Sequence, residues 1–271
     1  MCIIVVKEKG INFPSVETLK NCFERNPHGC GVMISDYKKK QVVIEKGFMS
    51  FSTFEKRFNE LKVKYDKNYT WVFHFRISTG GLINESCTHP YPLSMNMKEL
   101  KAKNITCEIG VAHNGYISCC SSGVDYNDTM NYIQNYLYYI VENDKNYWKN
   151  QNKIELIKNT CGSRLAILDN ESNCCLIGNG WLKDNDIWYS NDTYKERKRY
   201  KYNYNNCNNK KSNKYWESLF SELDKEKYKY DSYYNNKTCE YDFEYGKCPF
   251  SQEGNDNYCA RCKNYYDCYG I

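Results

Sequence analysis

The chain has 271 residues, of which 41% are hydrophobic and 16% aromatic, and its formal net charge is +5. This length accommodates one large domain, or one domain with a small appendage, and the composition is that of a globular protein. No apolar run approaches the roughly 18 residues of a membrane helix, and the apolar amino-terminal stretch is shorter than a secretory signal needs, so we expect a cytoplasmic protein without a membrane partner.

Extended apolar runs alternate with amphipathic helical patterns from the amino terminus to about Asn191. Short runs rich in Val, Ile and aromatic residues predict strands at 2–6, 31–35, 41–47, 69–78, 108–118, 163–169, 174–178 and 187–190. Apolar residues at helical spacing predict helices at 15–25, 53–64, 127–141 and 153–159, the second with Ser52 and Glu55 as a capping box. Strands and helices do not alternate regularly, so the pattern predicts an α+β fold of two packed sheets with helices outside.

Cys2 follows the initiator methionine, and a small second residue permits removal of that methionine. Removal would place a thiol and a free α-amine on the same residue. An α-amine titrates near about pH 7.7–8.0, so it can accept the thiol proton without help from a histidine. A cysteine at this position is more often incidental, and the hypothesis of a nucleophile depends on the residues that follow.

Arg76 lies at the end of an otherwise apolar predicted strand. A guanidinium near a core needs an anionic partner, because burial of an unpaired charge is costly. That partner is either a structural carboxylate or the carboxylate of a substrate.

Asn114 and Gly115 stand between two extended runs, a pattern that predicts a tight hairpin turn. The asparagine amide and the glycine N–H are two donors that could stabilise a tetrahedral oxyanion. Asp128 falls in the first turn of the helix predicted at 127–141, where an acid either caps the helix and complements its dipole or binds a substrate ammonium group.

The ordered set of motifs resembles the class II glutamine amidotransferases. The set comprises Cys2, HFRISTGG at 74–81, AHNG at 112–115 and NDT at 127–129. Three further segments are similar to parts of that family, namely NPHGCG at 26–31, CTHPYP at 87–92 and SRLAIL at 163–168. The resemblance covers residues 2–191 as a glutamine amidotransferase type 2-like domain of the stand-alone type. It implies a four-layer αββα sandwich of the N-terminal-nucleophile hydrolase type, followed by a small cysteine-containing extension.

The resemblance also implies which residues act. It assigns catalytic roles to Cys2, Asn114 and Gly115, and substrate-binding roles to Arg76, Ser78, Thr79 and Asp128. The thiol would attack the side-chain amide of glutamine with its own α-amine as base, passing through a thioester and needing no cofactor. The asparagine and glycine would form the oxyanion hole, the arginine would hold the α-carboxylate, and the aspartate would hold the α-ammonium.

Two positions depart from the family pattern. Ile3 follows the nucleophile where glycine is usual, and His28 stands where an aspartate is common. Hydrolysis of another linear amide therefore stays open as an alternative. So does a catalytically idle binding module that carries a metal-binding tail.

The carboxyl-terminal part divides into a basic linker with a short helix at 192–238 and a cysteine-rich tail at 239–271. Most basic runs of this kind are solvated, so nucleic acid is an unlikely partner. With no export signal, we expect the cysteines to be free thiols or metal ligands. One CxxC with flanking cysteines indicates a structural zinc site, and incidental thiols are the alternative interpretation. Its candidate ligands are Cys248, Cys259, Cys262 and Cys268. This part is too short for a synthase, so released ammonia would pass to a separate ligase or synthase.

Overall fold

The computed structural model describes residues 1–78, 82–123, 125–142, 144 and 146–196. These residues form a mixed α+β structure with antiparallel sheets, which confirms the α+β part of the prediction. None of the described helices is long and apolar enough to cross a membrane. The cysteine-rich tail and almost all of the basic linker lie outside the described residues.

The strands assemble into two sheets in which all the described pairings are antiparallel. In chain order they are β1 Ile3–Lys7, β2 Cys30–Asp36, β3 Gln41–Phe48, β4 Trp71–Phe75, β5 Tyr91–Pro92, β6 Asn104–Cys107, β7 Ile109–Asn114, β8 Arg164–Asp169, β9 Cys174–Ile177, β10 Leu182–Asp184 and β11 Ile187–Tyr189. The larger sheet has the order β10-β11-β1-β4-β2-β3-β6, and the smaller has the order β5-β7-β8-β9. Strand β1 is internal and buried along its whole length, which explains its continuous apolar sequence.

The helices are α1 Val16–Arg25, α2 Phe51–Lys64, α3 Met97–Lys101, α4 Asp128–Tyr132, α5 Tyr138–Val141 and α6 Gln151–Cys161. A π-helical turn at Ile133–Leu137 joins α4 to α5, so the helix predicted at 127–141 is present with a wider turn inside it. A short 3₁₀ turn at Tyr147–Lys149 precedes α6. Helix α6 is longer than predicted because Asn150 caps its start and Gly162, at φ 65°, ends it.

The predicted capping box of α2 is wrong. Ser50, not Ser52, is the cap, and its hydroxyl accepts a hydrogen bond from the Thr53 N–H at 3.3 Å. The helix begins earlier than predicted because Phe51 already packs against the core.

The predicted hairpin at Asn114 and Gly115 is also wrong. Strand β7 ends at Asn114 and pairs with β5 and β8, and the chain beyond it continues as a loop. The Ile117 N–H in that loop donates to the Asp128 carboxylate at 3.0 Å instead of joining a strand ladder. The sequence pattern of a hairpin turn is therefore outweighed here by the contact between this loop and the first residue of α4.

Three apolar clusters surround the two sheets. One joins the larger sheet to α1 and α2 and includes Leu19, Phe23, Phe54, Phe58, Trp71 and Phe73. A second contains residues of both sheets and includes Ile4, Val6, Met33, Val72, Ala112 and Ala166. The third joins the smaller sheet to α4, α5 and α6 and includes Val111, Met130, Ile157, Leu165 and Ile167. Alternate residues of β1 and β7 thus face opposite layers, as a pleated strand requires.

Candidate active site

Cys2 lies immediately before β1, where that strand meets the end of β4. The register pairs Ile3 with Phe75, so the antiparallel ladder brings Cys2 beside Arg76. The Cys2 Sγ is 3.3 Å from both the amide nitrogen and the carbonyl oxygen of Ile77. The Asn191 side chain donates to the Cys2 carbonyl at 2.6 Å. The half-buried thiol and its backbone are therefore fixed at this end of two internal strands of the larger sheet.

The surroundings of the Cys2 thiol keep it protonated. Burial raises the pKa of the thiol, and the Ile77 N–H, the Arg76 guanidinium and the terminal ammonium offset only part of that effect. A thiol in this state needs a base before it can act as a nucleophile. Met1, which precedes it, is 68% exposed.

Arg76 is only 3% exposed and lies next to the thiol in the antiparallel pairing. Its Nη1 donates to the Leu82 carbonyl at 2.8 Å, and its Nη2 donates to the Ser78 hydroxyl at 3.1 Å. The Ser78 N–H in turn donates to Nδ1 of His28 at 2.8 Å. The predicted neighbours Arg76 and Ser78 are thus in contact, whereas Thr79 lies outside the described residues.

Asn114 connects the smaller sheet to the strand that carries the thiol. Its Nδ2 donates to the Ser190 Oγ at 2.7 Å, and the same Oγ accepts a hydrogen bond from the Ile4 N–H at 2.8 Å. Asn114 is 1% exposed, and its Oδ1 has no hydrogen-bond partner among the residues that the structure describes. Ser190 was not predicted to be a site residue, because nothing in the sequence distinguishes it from any other serine at a strand end.

Gly115 is at a position that only glycine fits. Its φ is +145°, and a Cβ added there would lie 2.5 Å from the Cβ of Ser163. The turn that follows Asn114 therefore depends on the missing side chain, and it brings the backbone against the start of β8.

Asp128 is held in place by backbone donors. Its Oδ2 accepts from the Ile117 N–H at 3.0 Å and its Oδ1 from the Thr129 N–H at 2.8 Å. The helix cap is Asn127, whose side chain accepts from the Met130 N–H, so capping is not the role of Asp128. Across the described ranges, no lysine or arginine forms an ion pair with this carboxylate.

No family model and no curated protein matches this chain.

Three buried histidines connect the groups of the site, and the sequence did not predict this connection. His113 contacts the Thr129 hydroxyl through Nδ1 at 2.9 Å and the Ser163 hydroxyl through Nε2 at 2.6 Å. The His89 Nε2 contacts the same threonine hydroxyl at 3.1 Å. The His74 Nε2 is 2.8 Å from the His113 carbonyl, so this ring links β4 to β7.

Burial keeps these histidines neutral. It lowers the pKa of His74 to about 3 and that of His113 to about 4, and it lowers the pKa of His89 well below the ordinary value. Each ring is therefore uncharged at neutral pH and serves as a hydrogen-bonding group in the buried interior.

Apart from Thr79, the residues predicted for catalysis and substrate binding lie in the described part of the chain, but they do not form one continuous set of contacts. Asp128 reaches the rest through Thr129 and His113, and it makes no direct hydrogen bond to Arg76 among the described residues. Within the described ranges, no group of His, Cys, Asp and Glu could hold a metal ion. The candidate zinc ligands Cys248, Cys259, Cys262 and Cys268 lie outside those ranges.

Proposed function

We propose that this chain is an N-terminal-nucleophile amide hydrolase that releases ammonia from the side chain of glutamine, as a stand-alone class II amidotransferase. The observation that carries the proposal is the meeting of three groups where β1 begins. Cys2 Sγ contacts Ile77, the buried Arg76 follows the end of β4 beside it, and the Asn114 side chain is linked to β1 through the Ser190 hydroxyl. The three apolar clusters on either side of the sheets and between them fit a four-layer αββα sandwich, which is the architecture of that class.

The nucleophile needs a base, and the three buried histidines do not supply it. Among the described residues, His74, His89 and His113 make no hydrogen bond to the Cys2 thiol, and burial lowers the pKa of each ring. Removal of Met1 would leave the α-amine on Cys2 itself. That amine would take the thiol proton directly or through one water molecule and then give it to the departing ammonia.

The Asn114 amide is suited to stabilise the oxyanion. Ser190 Oγ accepts two hydrogen bonds, whereas the buried Asn114 Oδ1 accepts none from the described residues. Rotating the amide by half a turn lets Ser190 donate to Oδ1 while still accepting from the Ile4 N–H. The Nδ2 group then takes the place of the unpartnered oxygen, as a buried donor that a tetrahedral oxyanion would satisfy. The N–H of Gly115 would be the second donor.

Charged groups on the two sides of this region suit the amino-acid part of glutamine. The Arg76 guanidinium would hold the α-carboxylate with help from the Ser78 hydroxyl, because a planar fork matches a carboxylate in geometry. Asp128, already oriented by two backbone N–H groups, would hold the α-ammonium.

The chemistry would proceed in two stages. Attack of the thiolate on the amide carbon gives a tetrahedral intermediate, which collapses to a thioester and ammonia. Water then hydrolyses the thioester to glutamate and regenerates the thiol. The ammonia would pass to a separate ligase or synthase.

Glutamate release from L-glutamine tests the proposal. The full chain, with Met1 removed, should produce glutamate and ammonia in equal amounts. Cys2→Ala should abolish this activity, whereas Cys107→Ser, which changes another half-buried thiol at the edge strand β6, should leave it intact. Equal activity of the wild type and Cys2→Ala would overturn the proposal.

A further inference from the structure

Two adjacent thiols lie in the loop between β7 and α4, and the proposed hydrolysis uses neither. The Sγ atoms of Cys119 and Cys120 are 3.7 Å apart. Cys119 is exposed and its Sγ also lies 3.4 Å from the Thr160 carbonyl, whereas Cys120 is only 2% exposed. One thiol of the pair is thus accessible to a reagent, and the other is buried within contact distance of it.

We propose that Cys119 and Cys120 form a dithiol site that a hydroperoxide oxidises reversibly to a disulfide. The exposed Cys119 thiol loses its proton as the sulfur attacks the peroxide oxygen, the O–O bond breaks, and the departing oxygen takes up a proton. The products are a sulfenic acid on Cys119 and an alcohol or water. The Cys120 sulfur then attacks the sulfenic sulfur. The S–S bond forms as the S–O bond breaks, and the hydroxyl leaves with the Cys120 proton as water.

The buried position of Cys120 suits the second step and not the first. Burial and the neighbouring Cys119 raise the pKa of Cys120 to about 12, so it stays a thiol and does not compete for the peroxide. It becomes reactive only when a sulfenic acid forms within contact distance. The order of the two steps therefore follows from exposure.

The bond between neighbouring cysteines would be easily reduced. Adjacent Cα atoms across a trans peptide are about 3.8 Å apart, which is shorter than the roughly 4.4–6.8 Å of ordinary disulfides. Strained disulfides have more oxidising potentials and belong to the labile class. Because Cys120 N–H also donates to the Ile117 carbonyl at 3.1 Å, the bond would form within the loop whose Ile117 N–H holds Asp128.

The chain contains a second adjacent pair that serves as an internal control. Cys174 and Cys175 are consecutive on β9, where successive side chains point to opposite faces of the sheet. Cys174 packs in the cluster between the sheets, and Cys175 packs in the cluster with α4, α5 and α6. Strand geometry therefore holds this pair apart.

Peptide mapping of the full chain tests the dithiol. The protein is treated with hydrogen peroxide, quenched, alkylated under denaturing conditions and cleaved after lysine, arginine and glutamate. Cysteines 119 and 120 are then alone in the peptide 109–142, cysteines 174 and 175 are alone in 172–183, and Cys161 is alone in 159–164. We expect 109–142 to be two hydrogens lighter and to lose both alkyl groups, with recovery on thiol reduction, while 172–183 keeps both.

Three results would overturn the proposal. The peptide 109–142 could remain doubly alkylated, it could be cross-linked to the peptide that contains Cys161, or 172–183 could oxidise equally fast. As a check on the first step, Cys120→Ser should accumulate a sulfenic acid on Cys119 that dimedone traps. None of these outcomes depends on glutamine hydrolysis, since the readout is the mass of the peptides.

Discussion

Asn114 and Ser190 share one hydrogen bond but differ in their proposed roles, which makes them a matched pair of variants. Asn114→Ala removes the oxyanion donor and should lower kcat for glutamine hydrolysis by about 10²–10³ with little change in KM. Ser190→Ala breaks the same bond but keeps the asparagine amide, so kcat should fall much less. Steady-state kinetics decides between them, and equal losses in both variants would contradict the oxyanion role.

Asp128 can be tested by removing only its charge. Asp128→Asn keeps an oxygen for the Ile117 N–H, yet it should raise the KM for L-glutamine by about 30-fold or more, because a desolvated charge pair is worth roughly 2 kcal/mol or more. The deamino analogue of glutamine has no ammonium group, so its KM should not change.

Asp125→Asn is the control for this variant. Asp125 is an exposed acid that pairs with Lys101 at 3.7 Å, and it lies three residues before Asp128. Its replacement should leave both KM values unchanged. A KM for L-glutamine that does not respond to Asp128→Asn would mean that another group binds the ammonium.

Sequence reasoning could name Arg76, Asn114 and Asp128 because each stands in a local motif. It could not name Ser190, whose hydroxyl meets Asn114 across 76 positions and Ile4 across 186 positions. Such contacts depend on how the sheets pack and not on any local pattern. The histidine contacts with Thr129 were missed for the same reason.

Gly115 lies where β7 leads into the loop that precedes α4. Gly115→Ala should reduce the free energy of unfolding by about 1–3 kcal/mol more than the same substitution at a glycine with open space around it, because the added Cβ would overlap Ser163. Gly162→Ala is the matched control, since Gly162 also has a positive φ but nothing lies within 4 Å of an added Cβ. Urea unfolding compares the two, and equal destabilisation would show that the Ser163 contact carries no strain.

The elements that sequence predicted well are the internal, buried ones. Strands β1, β2 and β8 have continuous apolar sequences because both faces are covered. Strand β6 was missed because it lies at a sheet edge and its residues are exposed or half-buried, so its sequence NITC has no apolar pattern. Strand β10 at the opposite edge was missed for the same reason, and helix α3 was missed because its five residues are too few to show a helical repeat.

Across the whole molecule, the three neutral, buried histidines should make stability depend on pH. In the unfolded chain each of His74, His89 and His113 titrates near about pH 6.5, whereas burial lowers each pKa in the folded chain. The unfolded chain therefore binds more protons below about pH 6.5, and the free energy of unfolding falls as the pH decreases toward about 4. Each histidine contributes up to about 1.4 kcal/mol per pH unit.

Urea unfolding between about pH 7.5 and 5 measures this dependence. His89→Gln should reduce the slope by roughly the contribution of one histidine. Nearby charges also modify the pKa of these buried histidines. Asp128 raises the pKa of His113, whereas Arg76 and Lys46 lower that of His89. A free energy of unfolding that is constant over this range would contradict the neutral, buried state of the three rings.

The identity of the nucleophile is tested most directly by site-specific labelling. The full chain is incubated with a diazo-ketone analogue of glutamine, and the intact mass and the amino-terminal peptide are measured. We predict one adduct per chain, on a peptide that begins at Cys2 because Met1 has been removed, and no adduct in Cys2→Ala. Retention of Met1 in labelled protein, or an adduct that persists in Cys2→Ala, would contradict the assignment of Cys2 as an amino-terminal nucleophile.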